Sequence, residues 1–363
     1  MSITDSLLVP NLISEPSGAL YTCSLFNFLH MFDLFRNVGH RVCQYGFLLK
    51  LLLFCFFFTD LNLLDWNAQN SVAIALDASV CIWSTEHCRL MCEIHMNSNS
   101  KYASSIAWIK DGSCLAVGTS DGEVQLWDIE TRKRLRNMCG HTSVVGALSW
   151  NNHILSSGSR LGFIHHYDVR MAHHHIGSLR HTKSISGLKW SPDGCRLASG
   201  SSDGILNIWP NDPNTTFRCR PLQSMVHPTA VKAMDWCPWQ SEIVAVGGGM
   251  TDGVVRVWDI NNGNCLRSTE TKSQICSLLW LACSKEIVTG HGLPKNQIVR
   301  WDFHSLTRKD SFLKSKRGKG YFSRHFLSEV VEKCLGPVCF SLDGPDMIPE
   351  REYTSGENPL KSL

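Results

Sequence analysis

The side chains with the most chemical potential are six histidines packed into a short stretch: His165, His166, His173, His174, His175 and His181. Clustered imidazoles suggest a metal, but a zinc site needs ligands held on defined strands and supported by a second shell. No motif here supplies that, so the cluster reads as an exposed connection, and no metal or other cofactor is expected. The 16 cysteines are scattered through apolar stretches. The nearest pair, Cys88 and Cys92, has no second pair close by. They read as reduced, mostly buried thiols of an intracellular protein. No glycine-rich phosphate loop, no Ser/His/Asp arrangement and no paired acidic motif stands out, so no catalytic residue is assigned.

Two basic clusters interrupt this mild background. Arg132-Lys133-Arg134-Leu135-Arg136 reads as a solvated face on a connection. Lys314-Ser315-Lys316-Arg317-Gly318-Lys319 is a candidate nuclear-import patch. A net charge of +3 with 18% charged residues is too weak a balance to make nucleic acid the main partner.

The elements that must carry these residues are set by a repeat. Trp66, Trp108, Trp150, Trp190, Trp236 and Trp280 recur at spacings of 40 to 46 residues. Trp83, Trp127, Tyr167, Trp209, Trp258 and Trp301 recur at spacings of 40 to 49. Each member of the second series ends a short alternating segment, such as Glu123-Val124-Gln125-Leu126-Trp127. Alternation at period two predicts a strand with one buried face. Asp111-Gly112, Asp121-Gly122, Asp193-Gly194, Asp203-Gly204 and Asp252-Gly253 punctuate the strands as turns. Within 181–210 the unit is complete: strands over Ile185 to Trp190, Leu197 to Gly200 and Ile205 to Trp209, with turns between them.

Such a unit resembles the WD40 blade. The expected fold class is an all-β WD40 β-propeller with six recognisable blades of an ancestral seven, flanked by non-propeller N- and C-terminal segments. The resemblance implies a structural tetrad of His181, Ser199, Asp203 and Trp209 bonded within one blade. The third repeat departs from it, with Tyr167 for tryptophan and Leu161-Gly162 in place of Asp-Gly.

Several stretches go beyond the generic repeat. They include Leu61-Asn62-Leu63-Leu64-Asp65-Trp66, Ala107-Trp108-Ile109-Lys110-Asp111-Gly112, Lys133-Arg134-Leu135-Arg136-Asn137-Met138, Trp236-Cys237-Pro238-Trp239-Gln240-Ser241 and Gly290-His291-Gly292. Together they resemble the Fizzy, or cell division cycle protein 20, family, and within it the homolog B branch. The resemblance implies an activator that recruits substrates to the anaphase-promoting complex, a multi-subunit ubiquitin ligase, and contributes no catalytic residue. It implies degron-bearing substrate proteins as further partners and a place in cytoplasm and nucleus. The alternative is a WD40 scaffold that binds proteins without activating a ligase.

The family's top face binds Lys-Glu-Asn degrons. By resemblance Tyr102 supplies the pocket aromatic and Gln274 the amide, whereas Ser202 replaces an asparagine and Met250 a threonine. The family's pocket arginine belongs to the blade not recognised here, so weak or absent Lys-Glu-Asn binding is expected. Neither a C-box nor a terminal Ile-Arg, the family's ligase-docking signals, is recognised. The blade count also predicts two apolar sheet faces left without a neighbour, hence a gap or low stability.

Three regions are expected: an atypical N-terminal segment over 1–60, propeller blades over 61–313, and a divergent, disordered tail over 314–363. The apolar run from Phe47 to Phe58 is broken by Lys50. It is too short to span a bilayer, which takes about 20 residues, so a membrane partner is not expected. Phe, Leu and Cys runs are what pyrimidine-rich codons encode, and the family pattern begins abruptly at Leu61. The run is therefore read as translation through the end of an intron.

Overall fold

The computed structural model describes residues 61–313, apart from 85, 86, 88, 97–100, 212–218, 293, 294 and 296. The Phe47–Phe58 run, the Lys314–Lys319 patch and the C-terminal segment lie outside the described residues. Every regular element among the described residues is a strand.

The first sheet is β1 (Leu64–Trp66), β2 (Ser71–Leu76), β3 (Ser79–Ser84) and β4 (Arg89–His95). The second is β5 (Ala103–Trp108), β6 (Cys114–Thr119), β7 (Glu123–Asp128) and β8 (Lys133–Cys139). The third is β9 (Val145–Asn151), β10 (Ile154–Ser159), β11 (Phe163–Asp168) and β12 (His175–Arg180). The fourth is β13 (Ile185–Trp190), β14 (Arg196–Ser201), β15 (Ile205–Pro210) and β16 (Gln223–Val226). The fifth is β17 (Ala233–Trp236), β18 (Ile243–Gly247), β19 (Val254–Asp259) and β20 (Asn264–Glu270). The sixth is β21 (Ile275–Leu281), β22 (Glu286–His291), β23 (Gln297–Asp302) and β24 (Arg308–Leu313). All neighbours within a sheet pair antiparallel in sequence order, so each sheet is a meander running from an inner to an outer strand.

The fourth strand of each sheet carries little hydrophobic alternation. That is why Lys133–Arg136 was expected on a connection; the structure instead places these residues in β8, the outermost strand of the second sheet. The middle strands also depart from a single buried face. β18 is buried at every residue because its sheet is sandwiched between two others.

Packing follows the repeat. Five apolar clusters each join two consecutive sheets: first to second, second to third, and so on to the sixth. On β7, Val124 and Leu126 serve the third sheet while Trp127 packs against the first. Among the described residues no cluster joins the sixth sheet back to the first. The outward face of the sixth sheet is partly charged. Ile82, Leu126, Ile208 and Val257 pack against an adjoining sheet, but the matching position in β23 is Arg300, 3.6 Å from Glu286.

Candidate protein-binding face

The inner tryptophans tie the sheets into one arc. Trp108 Nε1 donates to the Asp65 carbonyl (3.2 Å), Trp150 to Ala107 (3.1 Å), Trp236 to Lys189 (2.9 Å) and Trp280 to Asp235 (3.0 Å). Trp190 bonds the Ser156 hydroxyl instead, at 2.9 Å. Each acceptor lies in the preceding sheet. Trp66, in the first sheet, has a buried Nε1 with no partner among the described residues. Side chains reinforce the relay: Asp65 Oδ2 accepts the Trp108 backbone N–H (2.6 Å), Ser149 Oγ that of Trp190 (3.1 Å) and Asp235 Oδ2 that of Trp280 (3.2 Å).

Asn62 ties together the inner strands of several sheets. It bridges in parallel to Ser105 of β5, and its Nδ2 donates to the Gly146 carbonyl of β9 at 2.8 Å and weakly to that of Ser186 of β13 at 3.4 Å. Lys232, just ahead of β17, donates to the Leu61 carbonyl (3.2 Å). No local sequence pattern marks Asn62 for this role, because its partners lie 43 to 124 residues away.

In the fourth sheet Ser199 Oγ stands between His181 Nε2 (2.6 Å) and Trp209 Nε1 (2.7 Å). Asp203 instead accepts from the hydroxyls of Ser201 and Thr182, the latter at 2.6 Å, and acts on His181 through its charge. Burial pushes His181 down to about 4, with Asp203 opposing the shift only in part. Gly204 closes this turn at φ +87, and a Cβ there would meet the His227 carbonyl at 2.2 Å.

The motif varies between sheets. His141 Nε2 lies 2.7 Å from Ser157 Oγ in the third sheet, so that half of the motif persists beside Tyr167. In the fifth, Val246 occupies the serine position and Trp258 Nε1 bonds His227 directly, at 3.1 Å. In the sixth, Thr289 bonds both Trp301 Nε1 and His291 Nε2, each at 2.7 Å, with the histidine supplied from the same strand.

The histidine cluster is an exposed connection only in part. His173 and His175 are exposed and His174 is half-buried where the chain passes from β11 into β12, whereas His165, His166 and His181 are buried, and His165 and His166 sit in β11. His165 Nδ1 meets Ser178 Oγ at 2.7 Å, and His166 Nδ1 meets Ser156 Oγ at 2.8 Å. Serines on neighbouring strands make these positions polar enough to bury. Among the described residues no three His, Cys, Asp or Glu side chains are grouped to hold a metal ion. The cysteines also differ from expectation. Among the described residues only Cys92 and Cys237 are buried, while Cys139, Cys195, Cys265 and Cys283, on outer strands or in turns, are exposed. All the described cysteines are free thiols.

The four residues named by the degron resemblance fall on one face of the arc. Tyr102 directly precedes β5 and Gln274 precedes β21; Ser202 follows β14, and Met250 lies between β18 and β19. In these meanders, the start of a first strand and the turn from second to third strand share an edge. Tyr102 and Met250 are exposed, at 37% and 63%, and so is Ser202. Gln274 is half-buried, and its backbone carbonyl is tied to Gly292 N–H (2.8 Å).

Charges that the motif reading missed share this face. Lys101 pairs with Asp121 and Glu123, and Arg256 forks onto Asp252, with Nη2 to Oδ1 at 2.8 Å. The bond to Asp121, then that to Glu123, holds the Lys101 ammonium above its usual range. Asp121 and Asp252 belong to the Asp-Gly turns, so the signal was present but read only as turn chemistry.

Four-stranded meanders joined by tryptophan hydrogen bonds, with a polar rim and no catalytic constellation among the described residues, define a WD40 β-propeller repeat protein. A model of the CDC20/Fizzy WD40 domain matches residues 57–323, and the chain belongs to that family. It is 41% identical over 250 residues to the anaphase-promoting complex subunit cdc20 of Dictyostelium discoideum, covering 68% of this chain and 50% of that protein. It is 42% identical over 246 residues to the WD repeat-containing protein slp1 of Schizosaccharomyces pombe, covering 68% and 49%. A chain in the crystal structure of a mitotic checkpoint complex superposes with a TM-score of 0.66 at 41% identity, covering 69% of this chain and 79% of that one. The chain thus spans about half the length of the curated relatives it matches.

Proposed function

We propose that this chain is a substrate adaptor or activator of the anaphase-promoting complex, acting in cell-cycle ubiquitin-dependent degradation. The observation that carries this reading is identity of about 40% across the propeller to relatives named as subunits or cofactors of that complex. The mechanism is binding. The arc holds a polar face for an extended degron, and the ligase supplies the chemistry, so the chain itself is not an enzyme. Its working partners are the ligase and degron-bearing substrates, in cytoplasm and nucleus.

A second reading, a scaffold that does not activate the ligase, is favoured by the face itself. Ser202 is shorter than the family's asparagine, and Met250 replaces a hydroxyl with an exposed thioether. A charge-assisted hydrogen bond contributes about 1.5–3 kcal/mol, so lost donors weigh heavily on a charged ligand.

Affinity purification of the tagged chain from mitotic cells tests the pair. Co-purification of ligase subunits supports the adaptor; a folded chain that retains none of them overturns it and leaves the scaffold.

A further inference from the structure

The outer rim between the first and second sheets has features that the adaptor reading does not use. In five sheets the outermost strand bulges by one residue beside the tryptophan position, at Met91, Leu135, Ile176, Leu266 and Lys309. A bulge re-aims its side chain and blunts a sheet edge against strand pairing. In the first two sheets it presents Met91 and Leu135 to solvent, at 41% and 51% exposure.

Three arginines lie at the junction of the first and second sheets, beside Met91. Arg89 pairs in register with Ser84, on the side of its sheet shared with Ile82, which packs on the second sheet. Arg134 pairs with Trp127, which packs on the first. Both arginines are therefore turned to one junction. Arg132 crosses it, its Nη2 donating to the Met91 carbonyl (3.1 Å).

Arg132 also holds φ 56, where the matching turn of the fifth sheet has Gly263 at φ 66. A residue with a Cβ pays about 1 kcal/mol for that conformation, so the turn carries a guanidinium where glycine would be easier. Among the described residues none of the three arginines has an ion-pair partner. The nearby Asp128 is occupied by Thr131 and faces Lys133 across the ladder.

We propose that this stretch of rim docks an acidic, extended segment of a partner protein. Its carboxylates would pair with Arg89 and Arg134, and an apolar side chain between them would rest on Met91. Guanidinium forks suit carboxylates, and the thioether adds a contact that bulk positive charge does not provide. Because the bulges interrupt the strand edges, recognition is by side chains rather than by strand addition.

The test uses the full chain and a short fluorescein-labelled peptide alternating Asp and Leu, followed by anisotropy. Saturable binding is expected, weakened about tenfold or more by R89E/R134E and several-fold by R134Q alone. R160E/R220E, the same charge change at exposed arginines of the third and fourth sheets, should leave binding unchanged. Equal loss with R160E/R220E would reduce the effect to net charge and overturn the proposal. So would absence of saturable binding, equal binding of the Lys-Leu counterpart, or displacement of the peptide by single-stranded DNA at matched charge. None of these readouts depends on ligase binding.

Discussion

Asp235 and Trp280 are joined twice across a sheet boundary. The Trp280 indole donates to the Asp235 backbone carbonyl at 3.0 Å, and the Asp235 carboxylate accepts the Trp280 backbone N–H at 3.2 Å. Asp65 and Trp108 repeat the arrangement between the first and second sheets. Burial, opposed by Lys189 and by the backbone N–H bonds, raises the Asp235 carboxyl above its usual range.

Asp235→Ala should therefore loosen the joint between the fifth and sixth sheets. The lost acceptor leaves a backbone N–H unsatisfied, which costs about 1–3 kcal/mol. Hydrogen exchange should quicken first in β17 and β21, with little change in the first sheet. Uniform acceleration across all sheets would contradict a local joint.

Replacing the first-series tryptophans by phenylalanine should separate Trp66 from the rest. Trp108→Phe gives up an indole hydrogen bond and should lower stability by about 0.5–1.5 kcal/mol. Trp66→Phe removes a buried donor that has no acceptor among the described residues, so urea denaturation should find it neutral or mildly stabilising.

Ser199→Ala withdraws the hydroxyl shared by His181 and Trp209. Two buried groups lose their common partner, and a loss of about 1–3 kcal/mol is expected from the urea midpoint. Ser199→Thr keeps the hydroxyl and should retain most of that stability.

Acid should weaken the propeller in a defined window. Burial pushes His141 down to about 3, and His165, His166, His181 and His291 down to about 4, against an unfolded value of 6.5. Between these values the unfolded chain binds protons that the folded chain refuses. The contribution is therefore complete above about pH 6.5, falls as the pH drops towards 4 and, through His141, on towards 3, and flattens below that. Chemical denaturation across that range measures the slope, and His181→Asn should make it shallower.

Several features of the fold were fully local and could be read in advance. The tryptophan periods, the Asp-Gly turns and the two-residue alternation mark six sheets, and the strands expected within 181–210 lie within a residue or two of β13, β14 and β15. These signals work because each sheet repeats one solution to burying apolar side chains beside tight turns. The fourth strands were not legible. Lys133-Arg134-Leu135-Arg136 pairs with β7 through its backbone while its side chains face water, so no hydrophobic pattern records the strand.

The sequence by itself determined the repeat, the family and which residues could line a binding face. Only the tertiary structure decided who bonds to whom. It buried His165 and His166 against serines, exposed thiols on the rim, paired Trp301 with Thr289 across two strands, and sent Asn62 to the inner strands of other sheets. The physical reason is distance along the chain. A turn or an alternating strand is set by neighbours a few residues away, whereas these contacts satisfy polar groups that meet only when separate strands and sheets pack together.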